Sequence, residues 1–287
     1  MHYTGKSKVL IFSNSKKATM SFATPWVNSY NSIMKLEQDP TTGMLTGTYA
    51  STTGGTGTYD VVGWASLQDA TTKLGQTMAI SILWRSNDGG KSDPSHEVSG
   101  MAGQLLLAGT QQNLTLNHIF VETKPDTVPQ TGFYPDKLIF APVKPADINT
   151  YNSMVADFTP ATAEMKENLA GTWIGSVAGQ PVEIGFEFPD KGGIQLAGTI
   201  TYQDDKAYPI VGFTDIFAFT SALNLQGISF STYVDSPDGR KCISMAGHLN
   251  LATGKIALAK MQAQSTPPDS TWYSVHLEQC HFEKKLN

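Results

Sequence analysis

Cysteine is nearly absent: the 287-residue chain carries two, Cys242 and Cys280, both in its second half. Two residues cannot build a disulfide framework; free thiols or one bridge between neighbouring strands remain the two readings. Charge is thin as well, with 16% Asp, Glu, Lys and Arg and a net charge of −5. Such a chain has no basic footprint for nucleic acid. Long apolar runs are missing, and none approaches the length of a membrane span. Val9–Phe12, four apolar residues after a basic start, is too short for a secretory core, and no small-residue cleavage site follows. The expectation is a cytoplasmic chain, or one exported without a signal peptide. The six histidines (His2, His96, His118, His248, His276, His281) are scattered. Their nearest grouping, His276 with Cys280 and His281, splits across the two faces of a strand, so no metal site is expected.

What the chain does have is turn chemistry and β-formers. Glycine occurs 26 times and hydrophobic residues make up 40%. Short β-branched and aromatic runs alternate with turn signals, as in a meander. In the first half they are Ile33–Leu36, Met44–Tyr49, Tyr59–Ala65, Met78–Trp84, Ser99–Leu107 and Leu114–Glu122. In the second half they are Val182–Phe188, Ile194–Tyr202, Tyr208–Thr214, Gly227–Tyr233, Cys242–Leu251, Ile256–Gln262 and Trp272–Cys280. Asp39-Pro40-Thr41-Thr42-Gly43, Asn87-Asp88-Gly89-Gly90 and Asp235-Ser236-Pro237-Asp238-Gly239 read as turns between them.

The halves repeat each other. Leu45-Thr46-Gly47-Thr48-Tyr49 matches Leu196-Ala197-Gly198-Thr199-Ile200, and Tyr59–Gly63 matches Tyr208–Gly212. Met101-Ala102-Gly103-Gln104-Leu105 matches Met245-Ala246-Gly247-His248-Leu249, and Thr131–Tyr134 matches Ser270–Tyr273. Four pairs in one order at similar spacing indicate a duplication. Between the copies lies a proline-bearing stretch with a short helix expected at Ala163–Leu169. The division is an N-terminal segment 1–21, a first domain 22–141, a linker 142–168 and a second domain 169–287. Meanders of this size hide their edges by closing, so the fold class is all-β: two tandem eight-stranded antiparallel up-and-down barrels. A pair of β-sandwiches is the alternative.

Residues 22–141 carry a more specific pattern. Trp26-Val27-Asn28, Ser32 and Leu45-Thr46-Gly47-Thr48-Tyr49-Ala50-Ser51 are followed by Tyr59–Gly63, Trp84-Arg85-Ser86-Asn87 and Ala102-Gly103-Gln104. This resembles the avidin–streptavidin family, with the second half similar to a diverged copy that opens on Gly171-Thr172-Trp173. Streptavidin's barrel holds a single small ligand. The resemblance implies a small-molecule-binding protein whose ligand is biotin or another ureido- or amide-like compound, bound more weakly than by avidin. It implies that Asn28, Ser32 and Tyr49 direct polar groups at a ureido carbonyl, that Ser51 accepts from a ureido N–H, and that Tyr30 is a further ligand-binding residue. Gly54 and Thr56 would lie in the loop closing over the ligand tail, and Trp84 and Phe120 would form walls. Ser99 and Met101 stand in the stretch where the family has a threonine and a second tryptophan, His118 stands at a third tryptophan, and the family carboxylate falls near Pro142. In the second copy Gly175 replaces the asparagine, Gly179 the serine, Ile200 the tyrosine and Thr232 the wall tryptophan. Trp272 would cap the first barrel's pocket.

The resemblance implies no cofactor beyond that ligand, no nucleic-acid or membrane partner, and a homodimer of tandem chains that recreates four barrels. A different class of reading is a barrel enzyme, an isomerase or cyclase of a small metabolite, using His118 and Glu97 for acid–base work. A third is an interaction or defence protein using the barrels as scaffold.

Overall fold

The computed structural model describes residues 22, 24–51, 57–84, 97–109, 111–123, 133–144, 168–189, 195–203, 205–215 and 225–285. Sixteen strands form. In the first half they are β1 Trp26–Asn28, β2 Ile33–Gln38, β3 Met44–Ser51, β4 Gly57–Ala65, β5 Gln76–Leu83, β6 Glu97–Ala108, β7 Gln111–Glu122 and β8 Tyr134–Pro142. In the second half they are β9 Gly171–Val177, β10 Gln180–Glu187, β11 Gln195–Thr201, β12 Ala207–Thr214, β13 Leu225–Ser236, β14 Gly239–Asn250, β15 Lys255–Ala263 and β16 Val275–Lys284.

Each set closes into an antiparallel barrel, β8 returning to β1 and β16 to β9. Closure removes the free edges that such meanders would otherwise expose. The expected strands are present, with three additions and one shift. β1 and β9 are short openers and β8 carries Pro135 and Asp136, so none of them has the β-branched density that marks a strand. The last strand starts at Val275 instead of Trp272, which belongs to a one-turn 3₁₀ helix at Thr271–Tyr273. Most of the helix expected at Ala163–Leu169 falls outside the described residues. Leu169 itself is fully buried and accepts the Trp173 indole N–H at 2.7 Å.

The alternation of side chains along each strand separates two environments. In the first barrel Trp26, Met34, Leu45, Ile80, Leu116 and Phe140 fill the lumen. In the second, Trp173, Ile184, Leu196, Phe230, Leu258 and Phe282 do the same. Register makes the copies superposable by strand position. Gly47 lies opposite Leu36 and Val61; Gly198 lies opposite Phe186 and Ile210. A Cβ at either glycine would sit 1.9 Å from a neighbouring strand's carbonyl oxygen, that of Lys35 or Gly185 respectively. Both repeats therefore require glycine at the same point of the third strand.

The two barrels pack against each other through outward residues of β4–β7 and β12–β16. Val62, Ala79, Val98 and Ile119 of the first meet Phe213, Ala246, Ala259 and Met261 of the second in one apolar cluster. Polar contacts stitch its margin. The Trp64 indole donates to the Ser231 carbonyl at 3.2 Å, and the Ser229 hydroxyl donates to the Ser99 carbonyl at 2.7 Å. Gln104 exchanges two bonds with Thr266, at 2.6 and 3.0 Å. Cys242 lies buried in this interface and Cys280 inside the second barrel, both as free thiols.

Candidate functional site

Asn28 is the fixed point of the first lumen. It ends β1 inward, and the turn that follows places Asn31 at φ +61°. Its Oδ1 accepts the backbone N–H groups of Tyr30 and Ser32, each at 3.0 Å. Because the carbonyl end is tied to backbone donors, the NH₂ end must face the lumen. There it donates to the Tyr49 hydroxyl at 3.2 Å. The Ser32 side chain also hydrogen-bonds Tyr49. Burial raises the Tyr49 pKa against the lowering effect of these two bonds, with Asp136 adding to the rise, so the phenol stays protonated at neutral pH. Asn28, Ser32 and Tyr49 are buried together, and Ser51, two residues along β3 from Tyr49, is buried with the same inward parity.

An aromatic wall stands over this floor. Trp84 lies 5.4 Å from Tyr49, 4.9 Å from Tyr59 and 6.0 Å from Phe120, ring centre to ring centre. Its indole N–H donates to Ser99 Oγ at 2.5 Å, and His118 Nε2 lies 2.7 Å from the same oxygen. One serine hydroxyl thus ties the wall tryptophan to the histidine opposite. Burial depresses His118 to about 4, against the opposing pull of Asp136. The ring is neutral at physiological pH, and a base with so low a pKa is weak there.

The expected site residues divide accordingly. Asn28, Ser32, Tyr49, Ser51, Trp84, Ser99, His118 and Phe120 share the lumen side of the first barrel. Met101 is fully buried in the floor beneath His118, its β7 partner. Tyr30 sits in the β1–β2 turn, 51% exposed. Gly54 and Thr56 lie outside the described residues. Glu97 is buried on β6 with the parity of Ser99, but the carboxylate whose charge acts on His118 is Asp136. Asp136 lies directly across β8 from His118 and was not among the expected residues. Only the β7–β8 register brings the two together. Trp272 is 84% exposed and stacks on Tyr273 at 4.8 Å.

A family model for the avidin family matches residues 16–123. The first barrel is avidin-like. The second repeats the architecture and register of that avidin-type barrel. Among solved structures, the crystal structure of xenavidin is similar at 17% identity, covering 42% of this chain and 95% of that one, with a TM-score of 0.34. No curated protein matches the chain.

Register also locates the diverged avidin positions in the second barrel, with two corrections. Gly175 and Ile200 occupy the places of Asn28 and Tyr49 as expected. Val182, opposite Gly175, holds the place of Ser32, whereas Gly179 belongs to the β9–β10 turn. Ser231 is opposite Val211 as Ser81 is opposite Val62, so Val234 and not Thr232 holds the place of Trp84.

Proposed function

We propose that the first barrel binds a small molecule by an uncharged ureido or amide group, with biotin the leading candidate, and performs no chemistry on it. The observation that carries this reading is the Asn28 side chain, whose amide end is turned toward the Tyr49 hydroxyl by two backbone bonds to its oxygen. Three neutral groups converging in a dry lumen suit a carbonyl oxygen better than a charged group, whose desolvation they could not offset. Trp84 and Phe120 supply flat apolar surface for the body of the ligand. The neutral His118, tied to Ser99, fits a wall residue better than an acid–base catalyst.

Titration calorimetry of the full chain with biotin tests this. Saturable heat at one site per chain is expected. Asn28→Ala should weaken biotin by about 30- to 100-fold, the equivalent of roughly 2–3 kcal/mol for the loss of a buried polar contact. Absence of both heat and thermal shift with millimolar biotin would count against the proposal.

A further inference from the structure

The second barrel holds a buried ion pair that no role described so far uses. Lys260 Nζ donates to Glu278 Oε1 at 2.5 Å, with side chains only 7% and 15% exposed. Lys260 on β15 lies opposite Met245 of β14, a lumen residue, so the pair lies inside the barrel. By register it stands where His118 and Asp136 face each other in the first barrel.

Three features of its surroundings point to a ligand. First, an ammonium has three donors, and among the described residues Lys260 bonds only to Glu278. Second, the Tyr202 hydroxyl is buried without a hydrogen-bond partner among the described residues. Glu278 and Cys280 act on it by charge, and Tyr208 packs against it at 6.0 Å. A buried hydroxyl left in that state is costly unless something accepts its proton. Third, Val234 and Ile200 replace Trp84 and Tyr49 at the same register, taking large side chains out of this mouth. Donors are therefore in excess on this wall.

We infer that the second barrel binds a small uncharged lactam or amide, its carbonyl oxygen received by Lys260 and Tyr202 and its N–H by Glu278. The charge of the pair selects the class. Lys260 and Glu278 neutralise each other, so a neutral guest leaves the lumen neutral. A carboxylate guest would leave a buried net negative charge, at a cost the single tyrosine donor cannot offset. The floor beneath (Phe230, Ile243 and Met245) is apolar and suits a compact ring.

Delta-valerolactam and its open-chain carboxylate counterpart, valerate, are the probes. The readout is the tyrosine ring resonances of selectively labelled full-length protein, with Tyr202 assigned by its loss in Tyr202→Phe. Valerolactam should shift the Tyr202 signal saturably, and valerate at equal concentration should not. Lys260→Met should weaken valerolactam about tenfold or more. That variant leaves Glu278 buried and unpaired, so Lys260→Met with Glu278→Leu, folded by circular dichroism, serves as the companion and should lose the shift. No saturable shift at tens of millimolar valerolactam, an undiminished shift in the double variant, or equal binding of valerate would each overturn the inference. Because the readout is Tyr202, a failure here leaves the first-barrel proposal standing, and the converse holds.

Discussion

Ser81 Oγ and Ser231 Oγ lie 3.0 Å apart, and each occupies the same register position in its own barrel. The contact joins equivalent residues, as in an isologous interface, although both belong to one chain. Both serines are fully buried, and among the described residues each hydroxyl has the other as its hydrogen-bond partner.

Removing both members should cost less than the two single removals added together. Ser81→Ala or Ser231→Ala should each destabilise by about 1 kcal/mol, and the double variant by less than the sum. Denaturant unfolding of the three variants measures the coupling; strict additivity would show that the two hydroxyls do not act as a pair.

Gly100 of β6 faces the second barrel. A Cβ there would lie 2.4 Å from Ser244 Oγ and 3.0 Å from Ala246 Cβ. Gly100→Leu should therefore overpack the interface by about 1–3 kcal/mol or more. Calorimetry should show the unfolding of the two barrels becoming less cooperative, while circular dichroism reports both still folded.

Ser99 serves two partners at once. Ser99→Ala leaves the Trp84 indole N–H and the His118 Nε2 without that oxygen, and should destabilise the chain by about 1–3 kcal/mol. Trp84 fluorescence should change with it, because the indole loses its short hydrogen bond. An unchanged spectrum and unchanged stability would mean that the wall does not depend on this serine.

Stability should fall in mild acid through His118. Its folded pKa of about 4 lies below the ordinary histidine value of 6.5, so between those two pH values the unfolded chain binds the extra proton. Stability is fully present above about pH 6.5, declines as pH falls toward 4, and levels off below that, with a span on the order of 2–3 kcal/mol. Melting temperature against pH for the wild type and for His118→Asn checks this: the variant's curve should lack that portion of the slope.

The strands and the duplication could be read from local pattern because both are written in short-range order: β-branched alternation, turn residues and recurring motifs such as Leu45–Tyr49 against Leu196–Ile200. The polar floor was readable for the same reason, since Asn28, Ser32 and Tyr49 lie in one continuous motif. The Lys260–Glu278 pair and the facing of His118 by Asp136 were not. Each joins two strands through a register that residue spacing does not encode, and Asp136 sits beside a proline in a strand of low β-propensity. Gly179 and Thr232 were placed by counting along the sequence, whereas turn length decides which residue reaches the lumen. Trp272 was read as strand because it is aromatic and stands close ahead of Val275; the backbone there turns instead.

β6 faces two different neighbours on alternate residues. Ser99, Met101 and Leu105 look into the first lumen, while Val98, Gly100 and Ala102 look at the second barrel. Since the side-chain period is two, inserting or deleting one residue within β6 would exchange these sets wholesale. The serine that orients Trp84 would then press against the sister barrel, and valine and glycine would line the binding chamber. Pocket chemistry and barrel pairing are thus interleaved on a single strand: residue identities can change independently on each side, but the length of β6 cannot change by one without disturbing both.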